Sequence, residues 1–163
     1  MKKLIFVFAI VGFSTFNAKA QDVDNAKASR ISIAANVGIP TRSGYSFAYG
    51  ADIQADFGVA STTFITISGG YEGYSIKGAS KTTGIIPLLA GAKFFFGDMN
   101  KVYGHAQLGY AFSTTSGGGG AFAYAPSLGY YVSPNFDIAL KYLAYSKSGS
   151  TNGSVNLRFA YNF

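Results

Sequence analysis

The chain has 163 residues, among them 15 Phe, 12 Tyr and 21 Gly but no Trp and no Cys; only 12% are charged, and the formal net charge is +6. The absence of cysteine excludes disulfides, thiolate zinc sites and thiol nucleophiles. Three of the basic residues, Lys2, Lys3 and Lys19, fall in the first twenty positions; without them ten basic residues face seven acidic ones, and a net charge of +3 gives nucleic-acid binding little support.

Residues 1–20 begin with Lys2 and Lys3, continue in the apolar run from Leu4 to Phe13 and end in Ala18-Lys19-Ala20. This predicts a secretory signal peptide cleaved after Ala20. The apolar run is about ten residues, too short for a spanning helix, which needs about twenty. The polar residues 21–29 are then expected as a short periplasmic lead.

From residue 30 onward the pattern has a period of two, which is the signature of strands. The first strand, 30–39, sets Ile31, Ile33, Ala35, Val37 and Ile39 against Ser32, Ala34, Asn36 and Gly38. The second, about 45–57, turns Phe47, Tyr49, Ile53 and Phe57 one way and Gly50, Asp52, Gln54 and Asp56 the other. The third, about 62–72, separates Ile65, Ile67 and Tyr71 from Thr66, Ser68 and Glu72, and a longer polar loop is expected over 73–81. The fourth, about 83–96, alternates least cleanly and holds Pro87, which cannot donate a ladder hydrogen bond; Leu88, Phe94 and Phe96 oppose Leu89, Lys93 and Phe95.

A tight turn over 97–100 leads to the fifth strand, 102–112, with Leu108, Tyr110 and Phe112 against Tyr103, His105 and Gln107. The loop 113–120 ends in four glycines. The sixth strand, 121–132, shows Phe122, Tyr124, Pro126, Leu128, Tyr130 and Val132 over Ala123, Ala125, Ser127 and Gly129. The seventh, 136–145, sets Ile138, Leu140 and Tyr142 against Asp137, Ala139 and Lys141. Asn152-Gly153 is a residue pair that tolerates positive φ in a hairpin turn, and the last nine residues form a closing strand with Val155, Leu157, Phe159, Tyr161 and Phe163 on one face and Asn156, Arg158, Ala160 and Asn162 on the other.

In most strands the large apolar residues share one phase, while Asp52, Lys93, Lys141 and Arg158 share the phase of the small residues. A soluble barrel would put the apolar stripe inside and the charges out. Apolar outside and polar inside is the pattern of a membrane barrel, and strands of about ten residues cross a bilayer at a tilt. The predicted fold is therefore all-β, an eight-stranded antiparallel up-and-down transmembrane β-barrel over 30–163. An even strand number returns both ends to the periplasm, so the connections near 58, 98 and 134 become periplasmic turns and those near 42, 77, 117 and 150 outer loops. Tyr and Phe near the ends of the outward stripes, such as Phe47, Phe94, Phe112 and Tyr130, are expected as interfacial girdles.

The closing strand and its terminal Phe163 make the chain resemble the small outer-membrane barrel family that includes OmpX and the transmembrane domain of OmpA. The resemblance covers the whole mature chain expected after cleavage, residues 21–163. It implies an outer-membrane address and a closing-strand signal, Leu157, Phe159, Tyr161 and Phe163, that the barrel-assembly machinery reads during insertion. The outer loops are shorter than the resemblance would suggest, and the full-length OmpA pattern of a peptidoglycan-binding domain after the barrel is not expected here.

Two residue groups are candidate sites. Asp52, Asp56, Glu72, Lys93, Asp137, Lys141 and Arg158 all point inward, so an ion-pair and hydrogen-bond network is expected to plug the lumen, with His105 and Gln107 at its edge; an eight-stranded barrel is only about wide enough for its own side chains. Arg42, Lys77, Lys81 and Lys147 fall in the outer loops with no acid among them. Outer-membrane lipids and lipopolysaccharide, through their phosphates, are the expected partners, with ordinary solvated charges the alternative.

No catalytic, cofactor or metal site is expected. Gly117 to Gly120 lead into neither a Lys-Ser/Thr pair nor a helix, so a phosphate cradle has no support. A structural or surface-interaction role as a monomer follows; the rival readings are a lipid-modifying enzyme, in which the single His105 would be the histidine at issue, and a narrow gated channel. Pro87 and Pro126 admit either a local weakening of the ladder or a lateral gap.

Overall fold

The computed structural model describes residues 29–79, 81–97, 101–115, 117–147 and 149–163. The expected signal peptide, all of the lead except Ser29, and the turn residues 98–100 lie outside the described residues. Eight strands follow one another: β1 (Arg30–Pro40), β2 (Tyr45–Ala60), β3 (Thr63–Ile76), β4 (Thr82–Phe96), β5 (Val102–Ser113), β6 (Gly120–Ser133), β7 (Phe136–Lys147) and β8 (Ser150–Asn162). Each pairs antiparallel with its chain neighbour, and β8 pairs with β1, so the sheet is a closed barrel without a free edge. Closure gives every strand a hydrogen-bonded neighbour on both sides, which is what a sheet in hydrocarbon requires.

The wall is inverted relative to a soluble barrel. Along β8, Val155, Leu157, Phe159 and Tyr161 are exposed, whereas Ser154, Asn156, Arg158, Ala160 and Asn162 are buried. The same alternation runs through β2, where Ile53 is 47% exposed and its neighbours Asp52 and Gln54 are 6% and 2% exposed. The exterior is a continuous coat of Ile, Leu, Val, Phe and Tyr, and the side chains it shields include seven charged ones.

The end of the barrel that holds Arg30 and Phe163 carries short connections, while the opposite end carries those around 41–44, 77–81, 114–119 and 148–149. At that second end, which we call the loop end, the connections are tied to one another: the Lys77 amide donates to the Gly44 carbonyl at 2.9 Å and the Thr41 amide to Gly153 at 2.8 Å.

Several boundaries differ from the sequence expectation, among them the end of β7, which runs past 145 to Lys147 and makes that residue the last of the strand rather than part of the loop. The loop expected over 73–81 is shorter, because β3 continues through Ile76 and delivers the Tyr74 side chain into the lumen, 1% exposed. The turn expected near 58 comes later and is tighter, since β2 runs to Ala60 with a register shift between Gly58 and Ala60. Asn152-Gly153 is not the hairpin turn: both residues are in β8, paired with Tyr145 and Ala144, and the positive φ belongs to Gly149 at +79°. Gly153 serves close approach instead, because a Cβ there would lie 2.5 Å from the Leu143 carbonyl oxygen.

Candidate functional site: the filled lumen and the loop-end rim

The inward phase of the strands fills the lumen in layers. Nearest the chain termini, Phe64, Phe95, Tyr103 and Tyr131 pack ring on ring at centroid separations of 5.6 to 5.7 Å, and the Arg30 guanidinium lies 5.6 Å from the Phe64 ring and 5.8 Å from Tyr131. Such tilted and edge-on contacts suit the ring quadrupole, and a guanidinium over ring faces adds a cation–π attraction.

Above them sits the ion network. Asp52 is its centre: Arg158 donates to it from Nη2 at 2.9 Å and from Nε at 3.2 Å, Asn36 from Nδ2 at 2.8 Å, and Lys141 from Nζ at 3.5 Å. Arg158 also faces Asp137 at 3.6 Å, and Asp137 accepts from the Tyr103 hydroxyl at 2.5 Å and from Asn162 at 2.8 Å. Lys93 pairs with Asp56 and lies over the Tyr103 ring at 4.8 Å, and Gln54 donates to Asp56 at 2.6 Å. The result is one chain of contacts, Lys141 to Asp52 to Arg158 to Asp137 to Tyr103 to Lys93 to Asp56, crossing the lumen between β2, β4, β5, β7 and β8.

Glu72 stands apart from this chain. Its Oε1 accepts from Ser154 and from Asn156 Nδ2 at 3.2 Å, and none of the described ion pairs includes it. Six of the seven predicted lumen residues are thus joined, and the seventh belongs to a layer of hydroxyl and amide groups in which the Tyr74 hydroxyl meets Ser154 at 3.3 Å. His105 Nε2 meets the Thr66 hydroxyl at 2.8 Å and Gln107 donates to Ser68 at 2.8 Å, so both are side-chain partners inside the barrel wall. The sequence reading did not assign roles to Asn36, Tyr103 or Asn162, although the inward phase of their strands marks them, nor to Ser154, which falls before the expected closing strand.

Toward the loop end the lumen becomes apolar and fine-grained, with Ala48, Ala111, Ala123 and Ala125 packed around Ile85, Leu89 and Leu143. The rings of Tyr45 and Tyr145 each meet Tyr74 edge-on, at 5.8 and 6.0 Å, and close the top of this layer. Arg42 and Lys147 stand at the rim above it, Arg42 donating to Asn152 Oδ1 at 2.8 Å and Lys147 to the Gly118 carbonyl at 2.7 Å. Lys77 and Lys81 lie in the β3–β4 connection, also exposed.

Both prolines interrupt the ladder on one side only. Pro126 pairs with Ala106 of β5, but toward β7 the pairing lapses between Tyr124–Ala144 and Ser127–Lys141, with the register unchanged on either side. Pro87 pairs with Ala111 of β5, while toward β3 the register passes from Gly69–Leu88 to Glu72–Ile85. A missing N–H explains an interruption that faces a single neighbour. Behind the Pro126 break, Ala125 and Leu143 are fully buried against the lumen core, so the wall is weakened there without being open.

No protein-family model matches the chain, and no curated protein matches it. Among solved structures it is similar to Ail, the attachment invasion locus protein of Yersinia pestis, at 18% identity and a TM-score of 0.58 over 83% of this chain and 97% of Ail. It is also similar to the N-terminal β-barrel domain of OprF from Pseudomonas aeruginosa, at 14% identity and a TM-score of 0.57 over 82% of this chain and 97% of that domain. A de novo designed transmembrane β-barrel aligns comparably, at 15% identity and a TM-score of 0.56 over 88% and 98%. A designed sequence and natural ones meet on this architecture, so the likeness carries shape and no task. The chain thus has the fold of the small eight-stranded transmembrane β-barrels found in bacterial outer membranes.

Proposed function

We propose that the protein is an integral outer-membrane β-barrel, exported through a cleaved signal peptide, with a structural or surface-interaction role and no catalytic activity. The observation that carries this reading is the inversion of the wall: charges ion-paired inside and a coat of large apolar side chains outside. In water such a coat would drive aggregation, whereas in a bilayer it replaces lipid contacts at no cost. With the termini at the periplasm, the loop end faces the outer leaflet. Leu157, Phe159, Tyr161 and Phe163, all exposed along β8, are then available to the assembly machinery before the barrel closes.

The filled lumen makes the barrel a plug rather than a pore. Protein that stays with outer-membrane fragments through alkaline extraction should give no steady conductance in a planar lipid bilayer. In Lys141→Ala or Arg158→Ala, removing one long side chain from the crossing network should produce measurable conductance. Recovery in the soluble periplasmic fraction overturns the membrane placement, and large steady conductance from the unmodified protein overturns the plug in favour of a narrow channel.

The rim gives the surface role a chemistry. Arg42, Lys77, Lys81 and Lys147 are exposed at the loop end, and the phosphates of lipopolysaccharide are the anions that surround an outer-leaflet rim. Replacing all four with Gln should lower retention of added lipopolysaccharide several-fold. Equal retention by the variant would leave these as solvated charges, worth about 0 to 1 kcal/mol each.

A further inference from the structure

A cup of about 340 Å³ opens at the loop end of the barrel, within the range of small-molecule sites at its lower limit. Its floor is apolar and aromatic, made by Tyr45, Ile85, Ala111 and Tyr145, and its lip carries Arg42 and Lys147. We propose that this cup binds a small amphiphilic anion, a single acidic head on a short apolar body.

The charge distribution selects the head. Arg42 and Lys147 are held by neutral acceptors, the Asn152 amide oxygen and the Gly118 carbonyl, and retain free donors. Among the described residues the side-chain carboxylates are Asp52, Asp56, Glu72 and Asp137, all buried below the cup, so no acid at the lip competes for the two cations. An acid that reaches both would gain charge-assisted hydrogen bonds from two directions.

The floor selects the body. Ile85 and Ala111 are 5% and 2% exposed and offer no polar group, and Tyr45 and Tyr145 present ring surface. Beneath them Tyr74 joins both rings, and beneath Tyr74 lie Glu72 with Ser154 and then the ion network. The cup is therefore blind: a ligand enters and leaves by the loop end, and the barrel acts as a receptor or store for it rather than a conduit. A larger polyanion such as a polysaccharide would satisfy the lip and leave the apolar floor unused. A neutral hydrocarbon would do the reverse.

Octanoate is a suitable probe, titrated into the mature barrel held in amphipol free of lipopolysaccharide and followed by calorimetry. It should bind saturably, and across butanoate, hexanoate and octanoate the affinity should rise about fourfold per methylene buried. Octanol, which keeps the body and lacks the charge, should bind at least tenfold more weakly. The double variant Arg42→Gln/Lys147→Gln should lose at least tenfold, and Ala121→Phe, which places a ring in the cup wall and keeps both cations, should lose binding while still migrating differently on gels before and after boiling.

Equal affinity for octanoate and octanol, or unchanged binding in either variant, would show partition onto the lipid-facing coat and overturn the site. Binding of inorganic phosphate as tight as that of octanoate would overturn the role of the floor. The site does not rest on the lipopolysaccharide reading, and Lys77→Gln/Lys81→Gln separates the two: these residues are outside the cup, so octanoate binding should be unchanged whether or not lipopolysaccharide retention falls.

Discussion

Asp52→Ala should destabilise the barrel by about 3 to 5 kcal/mol, the usual cost of removing one partner from a buried ion pair. The reason is the number of donors that converge on this carboxylate: two nitrogens of Arg158, the Asn36 amide and the Lys141 ammonium. Without it Arg158 keeps Asp137, at 3.6 Å, as its one described carboxylate, beside the Ser32 hydroxyl at 3.3 Å, and Lys141 has no carboxylate among its described contacts. Urea unfolding in lipid vesicles, read by the gel shift between folded and unfolded protein, measures the loss. Adding Lys141→Met to Asp52→Ala should recover part of it, because one stranded cation leaves with its acid and the Arg158–Asp137 pair remains. Glu72→Gln is the internal comparison. Its contacts are hydroxyl and amide donors rather than a cation, so its cost should stay near about 1 kcal/mol, the scale of a hydrogen bond. If Asp52→Ala costs no more than Glu72→Gln, the ion network is not what holds the lumen together.

Leu157→Arg should cost about 2 to 4 kcal/mol, the penalty for a charge on the lipid face of a barrel near mid-span. Leu157 is 46% exposed on the outer wall, with Val37 and Leu140 as its paired neighbours in β1 and β8's other partner β7, all of them apolar and outward. The adjacent position sharpens the comparison. Arg158 is 4% exposed, faces the lumen and is paired there, so one residue along the same strand turns an arginine from a stabilising group into a costly one. The control is Phe163→Arg, at the end of the wall where the penalty falls to about 0 to 1 kcal/mol. The same urea series in vesicles measures both variants. Equal, small losses at 157 and 163 would mean that the outer face is not in hydrocarbon.

The phase of each strand was legible without coordinates, since in a pleated strand alternate side chains must face opposite sides. That one rule placed Asp52, Asp56, Lys93, Asp137, Lys141 and Arg158 inside and Leu157, Phe159 and Tyr161 outside, and it counted eight strands because each apolar stripe ends at a turn residue. It also placed Arg42, Lys77, Lys81 and Lys147 at one end of the barrel. A period of two says nothing, however, about where a strand stops when the loop that follows alternates as well. Residues 73 to 76 therefore read as loop although Tyr74 is a lumen residue, and Asn152-Gly153 read as a turn although Gly149 takes it.

Only the closed barrel decided which inward side chains meet. Partners across the lumen are set by the tilt and stagger of the strands, a property of closure and of no single segment. Asp52 thus finds Arg158, 106 residues away, whereas Glu72 is carried to Ser154 and Asn156 and left without a base. The side of each proline break was decided in the same way, because whether a missing N–H faces the preceding or the following strand depends on the register of both ladders. So was the cup at the loop end, whose lining comes from β2, β4, β5, β6, β7, β8 and the loops between them and is brought together by closure of the barrel between the first and last strands.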